Sequence, residues 1–398
     1  MRLDGLGGGG WGVVSALPRA AARYAPHRVD LDISASEPRP GCDADNSFTV
    51  VDGRYLLHVV KWPRAAGRAA PVTYGNVCEA YVHHVQKTCS GAVVVVFDGY
   101  EVHWSTKDEE QRRRLAARGQ KACADIHFGA DTPTTTKRED FLSNKKNKSA
   151  LIRLLSARLQ AADIQVKQAD ADADVMIAET ALDLDAPGRT VSVVATDTDI
   201  LAILVARATD TTAISVKHPA TASSGEALYD IGAIRRQLGA MLPCVLVAHA
   251  FTGCDTVSAI YQKGKLKAWD NLKADAGLRA MAATFNDGAA DRESIARCGE
   301  YIMLSLYTKD PRQGSLDRLR FEELHNNKGR TKSLSKLPNL ALLPPTSDAT
   351  RQHSYRAYLQ VQQWLGNALD PTEWGWRVSR GVLEPVAMAL PVAPPELL

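Results

Sequence analysis

Four short, mostly β-branched or apolar runs in this chain each lead to an aspartate, and that recurrence limits the fold more than any bulk property does. Phe48-Thr-Val-Val51 ends at Asp52, and Val93-Val-Val-Val-Phe97 ends at Asp98. Val191-Ser-Val-Val-Ala-Thr196 ends at Asp197, with Asp199 two positions on. Cys244-Val-Leu-Val-Ala248 runs through His249 to Gly253-Cys-Asp255. Continuous apolar runs of this length suit strands buried on both faces of a parallel sheet. Ala213–Val216 has the same character. Helical patterns over Tyr74–Gln86, Lys145–Ala162 and Val175–Leu182 separate the runs. Alternating strands and helices predict an α/β fold in three layers, with a mostly parallel central sheet and right-handed crossovers.

In such sheets, sites form in the crevice beyond the carboxyl ends of the strands. A single Asp there reads equally as the cap of the next helix. Four strands ending alike strain that account. A further run, Asp170-Ala-Asp172-Ala-Asp174, precedes the helical stretch from Val175. As an extended lead-in it turns Asp172 and Asp174 to one side; as a helix start it complements the macrodipole. Carboxylates this dense repel one another unless a cation neutralises them. Oxygen-only donors suit Mg²⁺ or Mn²⁺ rather than zinc. Two such ions can serve phosphodiester hydrolysis.

The organisation expected along the chain is as follows. Residues 1–45, with Gly7–Gly10 and several prolines, read as a disordered segment. Residues 46–256 form the α/β core, and 257–310 a helical region with helices over Ser258–Ala274 and Ser294–Leu306. Residues 311–398 form a tail with a helix at 349–365 and a proline-rich end. Net charge is only +3, but Trp104–Lys148 concentrates eleven Lys and Arg residues. That stretch reads either as a solvated helical face or as a basic helical insertion over the sheet.

Other chemistries find little support. The seven cysteines are widely spaced, with no C-x-x-C pair, which points to reduced thiols. No run of about 18 apolar residues suggests a membrane partner, and no secretory leader is legible. An intracellular setting, nuclear rather than cytoplasmic, is the expectation. The histidines show no H-x-x-x-H pattern, and neither a G-x-S-x-G elbow nor a P-loop occurs. Trp364, Trp374 and Trp376 are expected to pack the tail rather than stack bases.

In order and spacing these motifs resemble the flap endonuclease/XPG superfamily, whose nuclease core has a PIN-like fold. The resemblance spans about Val50 to Ala268: Val-Val-Asp52-Gly, Val-Phe-Asp98-Gly, a basic segment, Asp172-Ala-Asp174, Thr-Asp197-Thr-Asp199, then Thr-Gly-Cys-Asp255. It implies a metal-dependent, structure-sensitive phosphodiesterase acting on nucleic acid, DNA rather than RNA. Asp52, Asp98, Asp172, Asp174, Asp197, Asp199 and Asp255 would hold the metals. Lys107, Arg112 and Arg113 would contact the scissile phosphate, and Arg114, Lys263, Gly264, Lys265 and Lys267 the nucleic-acid backbone. Residues 257–310 would resemble a helix-hairpin-helix. Two departures stand out. The family has Glu-x-Glu where this chain has Asp172-Ala-Asp174, with Asp170 and Asp172 as an alternative register. Of the family's Gly-x-Gly hairpin only Gly264 remains. More closely, in Val-Val-Phe-Asp98-Gly-Tyr, His249-Ala-Phe-Thr-Gly-Cys-Asp255-Thr and the Pro-Pro-Thr-Ser to Trp-Gly-Trp tail, the chain resembles a group of invertebrate proteins without an established activity, with a mobile-element association implied. The alternative is a catalytically inactive nucleic-acid-binding or assembly protein on the same fold.

Overall fold

A computed structural model describes residues 46–64, 71–99, 106, 123–170, 172–220, 225–311, 314–330 and 340–390. The disorder expected of residues 1–45 and most of the basic stretch at 104–122 lie outside the described residues. Two compact units emerge, one from the described residues of 32–105 and 111–237, the other chiefly from 238–398.

The first unit is the α/β core. Its elements run β1 (Ser47–Asp52), α1 (Gly53–Val59), α2 (Tyr74–Thr88), β2 (Ala92–Phe97), α3 (Arg138–Ser143), α4 (Lys145–Ala161), β3 (Gln165–Gln168), α5 (Asp174–Leu184), β4 (Thr190–Val194), α6 (Thr198–Arg207), β5 (Ile214–His218), β6 (Ala227–Asp230) and α7 (Ile231–Leu238). The strands form one sheet in the order β3-β2-β1-β4-β5-β6. All neighbours are parallel except β5 and β6. From β1 the chain first builds outward through β2 and β3, then returns to the other side of β1 with β4. The order therefore reverses between β1 and β4, a topological switch point.

Strand alternation divides the core. Val51, Val95 and Phe97 join Leu56, Tyr74, Tyr81, Leu151 and Leu155 from α1, α2 and α4 in one buried cluster. Val50, Val94, Val96 and Val193 are buried as well, and α5 packs against β1 and β4 without contributing to that cluster. The three layers are as expected. Two strands escaped the sequence reading. Gln165-Val-Lys-Gln168 is a largely exposed edge strand, and β6 is an edge with every second residue exposed. Edges need few apolar residues, so neither carries an apolar run.

The second unit comprises α8 (Val245–Phe251), α9 (Lys265–Ala274), α10 (Ala276–Ala283), α11 (Arg292–Tyr307), α12 (Leu316–Arg330), α13 (Ser347–Trp364) and an antiparallel hairpin, β7 (Trp376–Ser379) with β8 (Val382–Pro385). Helix α13 is its axis, packed against α8 and α11. His353 Nε2 meets the Phe251 carbonyl at 2.8 Å. Trp364 and Trp376 are buried, and Trp374 lies 4.3 Å from the Tyr358 ring. The tryptophans thus fasten the tail.

Two expectations are corrected here. Cys244–Ala248 is not a strand: Gly239–Cys244 is a 3₁₀ turn that leads into α8. All seven residues of α8 are buried, so no helical period marks the run, and five apolar residues cannot separate strand from helix. The helix expected over Ser258–Ala274 begins only at Lys265. Gly264 is its N-cap, and Gln262 ahead of it adopts a left-handed φ of 55°.

The helical run Ile231–Phe251 is long and apolar enough to span a bilayer by length and composition alone, with a mean hydropathy of 1.3. The sequence reading did not single it out. Arg235 pairs with Asp210 at 3.0 Å, Arg236 donates to the Asp210 carbonyl, and α8 is covered on every side. Of its most apolar 18-residue window 44% is buried.

Candidate metal centre

Four adjacent parallel strands, β3, β2, β1 and β4, all deliver acids at their carboxyl ends. Asp52 closes β1 and lies level with Val96 of β2, so Asp98 emerges two residues beyond it on the neighbouring strand. On the other side Val51 is level with Val194, and the chain reaches Asp197 three residues later. Phe97 is level with Gln168, after which come Asp170, Asp172 and Asp174. Asp52 and Asp197 flank the switch point itself.

The glycine after each of the first two acids has a steric cause. A Cβ on Gly53 would sit 2.3 Å from the Phe97 ring and 2.7 Å from the Val96 carbonyl oxygen. One on Gly99 would sit 2.1 Å from the Ala169 oxygen and 2.2 Å from the Asp170 oxygen. Both Asp-Gly pairs therefore mark places where strand exits cross at backbone contact. That crossing draws Asp98 and the Asp170–Asp174 segment together.

The cap reading holds for two of the acids. Asp52 caps α1, accepting from the Arg54 N–H at 2.8 Å. Asp197 caps α6, accepting from the Asp199 N–H at 3.1 Å. Asp174 is the first residue of α5 rather than part of an extended lead-in. Asp172 lies outside the helix and is half-buried, while Asp170 is exposed.

Capping does not account for the electrostatics. Asp52 is 5% exposed. Burial, then the charges of Asp174 and Asp98, push its carboxyl up to about 7, against the pull of the Arg54 and Tyr55 N–H groups. Asp174 and Asp199 are buried too. Among the described residues two cations enter the cluster. Lys148 Nζ lies 3.6 Å from Asp98 Oδ2, and Arg54 Nη1 lies 3.8 Å from Asp197 Oδ2. Burial lowers the pKa of the Lys148 ammonium, against the opposing pull of Asp98 and Asp52.

The donor set fits a hard divalent cation in kind: carboxylate oxygens, mutually repelling, around one that burial and its neighbours disfavour as an anion. Among the described residues, no three His, Cys, Asp or Glu side chains converge closely enough to hold an ion as they stand. Lys148 and Arg54 provide counter-charge instead.

The other expected residues belong to the second unit or lie outside the described residues. Asp255 belongs to the second unit, after a helix rather than a strand, and is half-buried. In that unit Lys265 Nζ donates to the His249 and Gly253 carbonyls at 2.6 and 2.8 Å. Its ammonium thus caps the carboxyl end of α8. Lys263 lies 4.6 Å over the Tyr307 ring, and Gly264 caps α9. The pKa of Lys267 is lowered by burial and by the like charge of Lys263. Lys107, Arg112, Arg113 and Arg114 lie outside the described residues.

Sequence reasoning missed three residues. Lys148 was one basic residue among many, and only its burial separates it from its neighbours. Arg54 had a signal in its position two residues after Asp52, in the first turn of the capped helix. His218 ends β5 just as the acids end their strands. It is buried, its ring packs edge-on to Tyr229 at 5.1 Å, and it meets the Asp197 backbone. Among the described residues its Nε2 has no hydrogen-bond partner.

No protein-family profile and no curated protein matches the chain. Solved structures do show similarity. The catalytic core of Rad2 in complex with DNA substrate is 15% identical, at a TM-score of 0.37 over 81% of this chain and 89% of that one. A bacteriophage T5 flap endonuclease complexed with DNA and metal ions is 13% identical, at a TM-score of 0.35 over 57% and 75%. T5 5′-exonuclease with bound zinc is 13% identical, at a TM-score of 0.35 over 65% and 87%.

Proposed function

We propose that the protein is a divalent-metal-dependent phosphodiesterase acting on nucleic acid, with its reaction centre at the β1/β4 switch point of a PIN-like, flap endonuclease/XPG-like core. The observation that carries this reading is Asp52: a buried carboxylate held against the charges of Asp174 and Asp98 at the mouth of a parallel sheet. A carboxylate kept there at such a disadvantage is explained if a cation is its working partner.

Asp52, Asp98, Asp172, Asp174, Asp197 and Asp199 would hold Mg²⁺ or Mn²⁺, two ions in the full site, and Asp255 is the further ligand that the motif resemblance implies. Bound there, such ions lower the pKa of a water and neutralise charge on the phosphodiester. The chain's own residues supply the rest. The α1 cap and the two Asp-Gly crossings orient the carboxylates, and Arg54 positions Asp197. Lys107, Arg112 and Arg113 would offset phosphate charge; Arg114, Lys263, Gly264 and Lys267 would hold the backbone. DNA is favoured over RNA, and an intracellular, nuclear setting belongs to the same reading. The likeness to invertebrate, mobile-element-associated proteins rests on the motifs alone.

The second reading is a catalytically inactive nucleic-acid-binding or assembly protein on the same fold. Cleavage of labelled single-stranded, duplex and 5′-flap DNA and RNA in Mg²⁺, Mn²⁺ or EDTA separates the two. Cutting that needs the metal supports the nuclease. Binding without cutting in either metal moves the assignment to the second reading.

A further inference from the structure

Three lysines, Lys145, Lys146 and Lys148, occupy the first turn of α4, where the helix presents the positive end of its dipole. That placement is unfavourable unless each charge has a use or reaches water. Lys145 is exposed. Lys146 has a side chain 79% exposed and pairs with Asp125 at 2.6 Å, an ordinary surface contact. Lys148 differs: its side chain is 14% exposed and ends 3.6 Å from Asp98, whose own side chain is 20% exposed.

The turn that carries Lys148 is held firmly. Asn144 caps α4 through the Lys146 and Asn147 N–H groups, and its amide donates to the Cys123 carbonyl at 2.7 Å. Asn147, 1% exposed, accepts from the Ile126 N–H at 2.8 Å and donates to the Ala124 carbonyl at 2.9 Å. The loop 123–126 is thereby pinned to the helix start, and the lysine leaves a fixed backbone toward the acids. Asp52 and Arg54 also lie near enough for their charges to act on its ammonium.

Resting on the nuclease reading above, we infer that Lys148 is a tethered counter-ion of Asp98 that a divalent cation must displace in order to bind. The ammonium and the cation compete for the same carboxylate, and their like charges oppose joint occupancy. Lys148 is thus a positioning residue: it holds Asp98 in the metal-free protein and sets a threshold for metal entry. A long side chain on a fixed backbone can swing away without unfolding its helix. A purely structural ion pair makes the opposite demand, because losing the lysine would then leave cation affinity unchanged or weaker.

The test is calorimetric titration of Mn²⁺ into the full chain at pH 7.5, for wild type, Lys148→Met and Lys148→Gln. The methionine keeps the apolar stem and removes the charge; the glutamine guards against a packing defect in the first variant. Both are expected to bind Mn²⁺ at least about fivefold more tightly than wild type. In an Asp98→Asn background Lys148→Met is expected to bring no such gain. Equal or weaker binding in both lysine variants overturns the exchange while leaving the metal centre standing. A gain that persists with Asn at 98 also overturns it, since the competition would not be for that carboxylate. No Mn²⁺ binding by any protein, wild type included, overturns the metal reading itself.

Discussion

Asp52 fixes Arg54 by its backbone: the aspartate carboxylate accepts the Arg54 N–H at 2.8 Å, and the helix this cap begins places the Arg54 guanidinium 3.8 Å from Asp197. One carboxylate is thus both a structural cap and a buried acid disfavoured as an anion by burial and by Asp174 and Asp98. The two roles come apart by substitution. Asn still accepts from the N–H but carries no charge, so Asp52→Asn is expected to equal or exceed wild type in stability when metal is chelated. Asp52→Ala also loses the cap and is expected to fall about 1 kcal/mol below Asp52→Asn. Urea denaturation in EDTA measures both.

The same residue predicts a pH dependence. Its carboxyl is raised from about 4 in an unfolded chain to about 7 by burial and then by Asp174 and Asp98. Between these values the folded state binds the extra proton. Stability from this group is therefore full below about pH 4 and is lost as pH rises through about 7, at no more than about 1.4 kcal/mol per pH unit. A cation that binds the ionised form restores it. The rise in melting temperature on adding Mn²⁺ is expected to be larger at pH 7.5 than at pH 5.5. A rise independent of pH contradicts this account.

At Gly99 the expectation is steric. Gly99→Ala drives a methyl into the Ala169 and Asp170 carbonyls, forcing the β3 exit away from Asp98. A loss of about 1–3 kcal/mol is expected, together with weaker Mn²⁺ binding. Gly129→Ala, with open space around it, serves as the control.

For Lys265 the structure predicts a stability effect rather than a binding one. Its ammonium closes α8 through two carbonyls, so Lys265→Met is expected to cost about 1–3 kcal/mol in folding. Nucleic-acid affinity below the melting transition should hardly change. A large change in the salt dependence of binding would return Lys265 to the phosphate-contacting group.

Much of the sheet was legible because buried parallel strands are short continuous apolar runs, and β1, β2, β4 and β5 all have that form. The polar edges β3 and β6 have no such form. The run at Cys244 misled because a helix buried on all sides also lacks a polar face. The acids were legible through their position at strand ends. Lys148 and Arg54 were not, since a buried lysine and an exposed one read alike in a sequence.

The central claim, that the crevice acids support metal-dependent cleavage, is tested most directly with Asp197→Asn/Asp199→Asn. Asn at position 197 can still cap α6, which keeps the fold intact while removing two charges. Cleavage of labelled 5′-flap DNA in Mn²⁺ is then compared with wild type. Wild type is expected to cut in Mn²⁺ but not in EDTA, and the double variant to lose more than about a hundredfold in rate while keeping its melting temperature in EDTA. Wild-type cutting that survives EDTA, or a folded double variant that cuts as fast as wild type, would contradict it.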